Sequence, residues 1–192
     1  MNFKIQTKGF TLIELLVTIS IIIILSALII PNYSSGSKRM ALGRAAYKLS
    51  QDIRWTQELA VSSQATVCSS GTLKGYGIYF NKIGDDKEEY IIFAECNDTE
   101  PNYDYDAGSD DIISGGDIKI EKGIEISKIE KNSTSLDNIS VIFIPPDPTT
   151  YIEHSNSGYE AKITLCIGGA DCGTADYYKV ISVNNSGRIK IE

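Results

Sequence analysis

Residues 10–30 form an apolar run rich in Ile and Leu that carries a single charge, Glu14. At about 1.5 Å per residue, a helix over this run is about 32 Å long, enough to cross the hydrocarbon core of a bilayer. Ahead of it, residues 1–9 are short, polar and basic, with Lys4 and Lys8. A secretory signal peptide has a shorter apolar core followed by a small-residue cleavage site. No such site is evident here, so the run is expected to stay in the mature chain as a membrane anchor. The leading lysines favour a cytoplasmic N-terminus, although Lys38, Arg39 and Arg44 on the far side weigh the other way.

Glu14 resists the plain anchor reading. An ionised carboxylate at the centre of a membrane helix costs roughly 2.5–3.5 kcal/mol on insertion scales, and less near a helix end. One account is a carboxylate snorkelling to the interface. Another requires a cut between Gly9 and Phe10, which creates an α-amino group four residues from Glu14. A cation on a neighbouring copy then neutralises the carboxylate inside an apolar bundle. Such a pair sets register more than it adds stability.

The stretch Lys8-Gly9-Phe10-Thr11-Leu12-Ile13-Glu14-Leu15-Leu16-Val17 resembles the processing and assembly motif of type IV prepilins and type II secretion pseudopilins. The resemblance implies a dedicated membrane peptidase that cuts after Gly9 and methylates Phe10, with Glu14 used in subunit alignment. Pro31 sits where many members carry a helix-bending proline; it lacks a backbone donor and permits a kink or local melting.

Past Pro31 and a small-residue stretch, Leu42, Ala46, Leu49, Ile53, Thr56 and Ala60 recur on one helical face. Arg44, Lys48, Gln51, Asp52 and Glu58 fall mostly elsewhere, the pattern of an amphipathic helix docked on a folded domain. Gly36 and Gly43 weaken that helix locally. From Ala65 the pattern changes to short strands broken by turns. They are expected at 66–68, 76–80, 89–95, 117–120, 124–129, 139–144, 161–167, 178–183 and 188–191. The expected organisation is a leader at 1–9, a transmembrane and assembly helix at 10–31, an amphipathic half at 32–64 and a β head at 65–192. The fold class is α+β, a long N-terminal helix whose second half packs on an antiparallel β head.

Two stretches resemble the FimT/GspH group of minor pilins and pseudopilins. They are the helix with Leu49, Asp52, Ile53, Arg54 and Ala60 leading into Thr66-Val67-Cys68, and Tyr178-Lys179-Val180-Ile181 to Gly187-Arg188-Ile189. That resemblance implies a low-abundance subunit, often near a filament tip, with a head of two small β-sheets.

The formal charge is −7, and loss of the leader removes two more lysines. Such an acidic surface repels nucleic acid and anionic lipid unless charge is locally segregated. Four cysteines allow three pairings. The turn-forming Ile167-Gly168-Gly169-Ala170-Asp171 favours Cys166–Cys172, leaving Cys68–Cys96; free, partly buried thiols are the alternative. Zinc is disfavoured, because no Cys-x-x-Cys pair occurs and His154 is the single histidine.

Asp98, Asp104, Asp106, Asp110 and Asp111 cluster around Gly108. Some pseudopilins bind calcium in a loop, which makes Asp104, Asp106, Asp110 and Asp111 a candidate set, but the spacing does not fit an EF-hand. The default reading is a solvated loop. Some FimT-like proteins bind DNA through a basic Gly-Arg-x-Arg element; here Gly187-Arg188-Ile189-Lys190 ends in Lys, which lacks the guanidinium fork. An ordinary final strand is the default for Arg188 and Lys190. The tyrosines at 103, 105, 151, 159, 177 and 178 read as a contact surface or as half-buried strand positions.

Nothing supports catalysis: His154 has no nucleophile pattern near it, and neither a phosphate-cradling loop nor a nucleophile elbow occurs. No cofactor is expected. The expected partners are other pilins or pseudopilins through the N-terminal helix, the prepilin peptidase and an inner-membrane assembly platform, with the head outside the plasma membrane. DNA uptake at a filament tip is the alternative role.

Overall fold

The structure is a computed structural model that describes residues 9–62, 68–69, 71–97, 103–145, 149–169, 172–174 and 176–192, without the side chains at 29–35, 85 and 97. Helix α1 (Leu12–Val61) is followed by β1 (Thr72–Asn81), a 3-10 turn (Gly84–Glu88), β2 (Glu89–Asn97), β3 (Asp111–Lys119) and β4 (Ile124–Lys131). Then come β5 (Thr134–Leu136), β6 (Asn138–Ile144), β7 (Thr149–Ile152), β8 (Glu160–Ile167), β9 (Tyr178–Asn184) and β10 (Ile189–Ile191). The protein is α+β, an N-terminal helix followed by two antiparallel β-sheets. It divides into one unit ending at Lys38 and another beginning at Arg39.

In the first unit every described side chain from Gly9 to Leu28 is exposed. Neither the local melting that Pro31 permits nor the weakening at Gly36 and Gly43 interrupts α1, which is helical through all three. No helix among the described residues is long and apolar enough to cross a membrane. The described side chains of the apolar run end at Leu28, so the expected span at 10–31 lies partly outside them.

In the second unit, one sheet runs β3-β2-β1-β6-β7 and the other β10-β9-β8-β4-β5, with antiparallel pairing throughout. Side chains alternate across each strand, so register decides which residues meet inside. In the first sheet Ile92, Ile78, Val141 and Ile152 stand in one inward row. In the second the row is Ile191, Ile181, Ile163, Ile129 and Leu136. Between Ile126 and Lys128 the register shifts, and this bulge keeps Ile124, Ile126 and Ile129 all on the inner face. Leu42, Ala46, Leu49, Ile53, Thr56 and Ala60 of α1 are all buried, and the apolar members of that set complete the same core.

Several boundaries differ from the sequence reading. Residues 66 and 67 lie outside the described set, and Cys68 is not in a strand. α1 ends at Val61 rather than near 64. The strand expected at 117–120 begins at Asp111, and β5 and β7 were not anticipated. The acidic segment is solvated only in part: Asp106, Ala107 and Gly108 are exposed, but Asp110 is buried, Asp104 and Tyr105 are half-buried, and Asp98 lies outside the described residues. It lies against the outer face of the first sheet. The Tyr105 N–H donates to Ser140 Oγ at 3.0 Å, and Ser140 Oγ–H donates to Asp104 at 2.6 Å. The Tyr105 ring meets Phe93 at 5.0 Å and Tyr79 at 5.1 Å between centroids.

Candidate functional site

At the position where the sequence reading expects a cut, Gly9 and Phe10 are exposed, and an unshielded apolar helix follows. Gly9 has nothing within 4 Å of where a side chain would sit, and Phe10 is 87% exposed. Thr11 starts the helix. The N–H of Glu14 donates to Thr11 Oγ1 at 3.3 Å, while the Thr11 N–H and hydroxyl donate to Glu14 Oε2 at 2.9 and 2.8 Å. This reciprocal arrangement is a capping box, which satisfies donors that the first helical turn leaves without carbonyl partners. The carboxylate also lies at the positive end of the helix dipole. Glu14 therefore has a role inside its own chain that the sequence reading overlooked, although Thr-x-x-Glu ahead of an apolar run is a recognisable signature.

Further along, the Thr18 hydroxyl donates to the Leu15 carbonyl and the Ser20 hydroxyl to the Leu16 carbonyl. These two hydroxyl donors are satisfied within the helix, which then presents a mainly hydrocarbon surface. A contiguous exposed apolar surface of this extent marks a membrane or protein contact.

The candidate sites of the head are distributed rather than convergent. Arg188, just ahead of the edge strand β10, and Lys190 within it are both exposed. The outer row through Lys190 continues as Ser182, Lys162, Glu130 and Ser135. Lys162 pairs with Glu160 at 3.4 Å and Lys128 with Glu130 at 2.8 Å. Cations and carboxylates thus interleave on this face, which gives a weak electrostatic footprint for a polyanion. Gly187 is explained by its backbone: its φ is +71°, and its nearest neighbour is the flexible end of the Gln57 side chain of α1.

The acidic residues are engaged with backbone donors. Asp110 accepts the N–H of Cys96 at 3.0 Å and of Asp106 at 2.8 Å, and Asp106 accepts the N–H of Gly108 at 2.9 Å. Burial pushes the Asp110 carboxyl above the ordinary range, and the two N–H donors counter this in part. Among the described residues, Cys68, Cys96 and Asp111 are the one group of three ligand-type side chains near enough to share an ion. Its two sulfurs are bonded to each other, so they are not available as thiolates.

Cys68–Cys96 and Cys166–Cys172 are disulfides, with Cα atoms 5.7 and 5.8 Å apart. His154 is exposed in a tight turn after β7, with positive φ at both Glu153 and His154. Among the candidate tyrosines, Tyr103 stacks on Tyr151 with centroids 3.9 Å apart, Lys131 lies over Tyr159 and Arg39 over Tyr177.

Residues 6–30 match the family model described as the prokaryotic N-terminal methylation motif. Among solved structures, the chain is similar to the minor pseudopilin EpsH from the Type 2 Secretion System of Vibrio cholerae. The TM-score is 0.46 at 10% identity, over 79% of this chain and 95% of that one. No curated protein matches the sequence.

Proposed function

We propose that this chain is a minor pilin or pseudopilin, a structural or priming subunit of a type IV pilus or a type II secretion pseudopilus. The observation that carries the reading is the methylation motif at residues 6–30, set on an exposed apolar helix that starts with a capped carboxylate. The precursor inserts in the inner membrane through residues 10–31, with its head outside. A prepilin peptidase cuts between Gly9 and Phe10 and methylates the new N-terminus. The apolar helix then leaves the bilayer and packs among the helices of other pilins on the assembly platform. Exchange of lipid for helix neighbours leaves the hydrocarbon surface covered throughout, so assembly needs no chemistry by this chain. Packing between the helices and the Glu14 carboxylate select the register.

The test is the intact mass of membrane-extracted protein, with and without co-expressed prepilin peptidase. The expected result is loss of residues 1–9 and gain of one methyl group when the peptidase is present. A chain that stays uncut beside an active peptidase refutes the reading.

A further inference from the structure

One cleft of the head differs in character from the acidic surface around it. It opens between the α1 residues Arg44–Leu49 and the end of β3 with the turn that follows, and has a volume of about 250 Å³. Ala45, Leu49 and Leu165 form its floor, and Arg44, Lys48 and Lys119 stand at its rim. Ala45 contributes only a methyl group to this floor. An apolar hollow of this size admits one large side chain.

The rim supplies the second half of the recognition. Arg44 pairs with Glu121 through Nη2 at 2.5 Å and Nε at 3.2 Å, and Lys48 pairs with Asp52 at 2.7 Å. Arg44 and Lys48 are exposed, so the pairs contribute little net stability, whereas Glu121 and Asp52 are half-buried and Asp52 also accepts the Tyr90 hydroxyl. Lys119 is exposed and has no ion pair among the described residues. On a chain of formal charge −7, the lining cations Arg44, Lys48 and Lys119 outnumber the lining carboxylate Glu121, a local excess of positive charge. Nucleic acid or a lipid surface asks for a broad basic face. A pocketed apolar anchor ringed by charge is the form of a protein–protein hot spot.

We propose that this cleft receives a loop from the head of an adjoining subunit, in which one branched or aromatic side chain is flanked by Asp or Glu. The proposal rests on the filament-subunit reading and adds the chemistry of its neighbour. The apolar side chain enters over Ala45 and Leu165, and the carboxylates take over Arg44 and Lys119 from solvent and from Glu121.

The experiment uses the full chain, expressed with its own assembly machinery and carrying the photo-cross-linker p-benzoylphenylalanine at Lys122, next to the rim residue Glu121. The expected adduct is a peptide of another pilin-type subunit that contains a large apolar residue beside Asp or Glu. Arg44→Glu combined with Lys119→Glu should cut its yield by about tenfold, since reversed rim charge opposes the partner. Ala45→Leu fills the hollow without changing charge and should also reduce the yield. It keeps the test decisive if the charge-reversed chain does not fold. Adducts only to lipid or nucleic acid, no adduct, or an adduct indifferent to both variants overturns the proposal. Intact mass of the same samples separates the two claims: a chain cut after Gly9 without the expected adduct removes this inference alone, and an uncut chain removes the filament reading.

Discussion

Gly77 in the middle of β1 is a steric glycine, and its replacement by alanine tests how the outer face of the first sheet is built. A methyl group at this position would lie 2.6 Å from Phe93 Cε1 and 2.9 Å from Ile142 Cγ1, against an ordinary carbon–carbon contact of about 3.5–4.0 Å. The Phe93 ring must therefore retreat by about 1 Å. It has no exposed direction to take, because it is fully buried and faces the Tyr105 ring at 5.0 Å. Tyr105 is itself tied to Ser140 through its backbone N–H. Overpacking of this kind costs about 1–3 kcal/mol, and alanine in place of a strand glycine returns about 0.5–1 kcal/mol. The expected net loss is about 1–2 kcal/mol, a fall in Tm of about 2–8 °C for a domain of this size. Among the described residues, every member of the buried core lies in the unit from Arg39 to Glu192, so urea and thermal unfolding of that fragment is the assay. Phe93→Leu should be destabilising alone, yet should relieve Gly77→Ala, giving a coupling of about 1 kcal/mol or more in the double variant. A neutral Gly77→Ala, or strictly additive double-variant energies, refutes the argument.

Four further outcomes follow from the same structure. Loss of Cys68–Cys96, which closes 28 residues, should cost about 3.5 kcal/mol by loop-closure entropy, against about 2 kcal/mol for Cys166–Cys172, which closes 6. Urea unfolding of paired Cys→Ala variants checks both the sizes and their order. His154→Gly should stabilise the head by about 0.5–1 kcal/mol, because His154 is exposed at φ +68° where glycine is unstrained; an unchanged urea midpoint contradicts this. The raised carboxyl of Asp110 means that the native state holds this proton more tightly than the unfolded chain. Its stability contribution is therefore greatest below the unfolded value and is lost as pH rises through the folded one, so wild type should gain on Asp110→Asn as pH falls from about 7 to about 4. An advantage of wild type that instead grows with pH in unfolding titrations would show that the two N–H bonds to the charged form dominate. Glu14→Gln keeps an acceptor for the Thr11 N–H but removes the charge, whereas Glu14→Ala removes both. Amide exchange in the first turn of α1 should stay slow in the Gln variant and quicken in the Ala variant, while filament incorporation should fall in both; normal incorporation of Glu14→Gln would dismiss the charge as an assembly device.

What could be read from the sequence was whatever repeats at short range. The α1 face from Leu42 to Ala60 and the inward apolar residues of β6 and β8 follow helical and strand periods, and the structure buries them; in β4 the bulge breaks the period between Ile126 and Ile129. β5 and β7 have three and four residues, too few for alternation to stand out, and they exist because neighbouring strands supply partners. The start of β3 reads as turn chemistry, with Asp110 and Asp111 before Ser114-Gly115-Gly116. In the fold Gly115 has φ +79° where the register against β2 shifts, so the glycines serve an irregularity within the pair. Asp104 and Asp110 looked solvated because carboxylates usually are. Their anchors are Ser140 and the Cys96 N–H, 36 and 14 residues away, and no local pattern reports those contacts.

Glu14 shows how one residue can satisfy two readings that seemed to compete. Considered as a charge within an apolar run, it asked either for a place at the interface or for a cation on a neighbouring copy. The capping box supplies Thr11 instead, at the helix end where the dipole already favours an anion. Both Thr11 bonds go to Oε2, and the described residues offer no hydrogen bond to Oε1. An isolated subunit thus carries its carboxylate at modest cost while keeping one oxygen available to a neighbour. If the proposed cut frees the Phe10 amine, each subunit gains a cation four positions from its own Glu14, and adjoining helices can exchange these charges in only a few alignments. A buried pair of this kind adds little to stability, but a misaligned helix strands a charge in hydrocarbon. Within such a bundle, selection of register would come from that penalty more than from the strength of the correct pair.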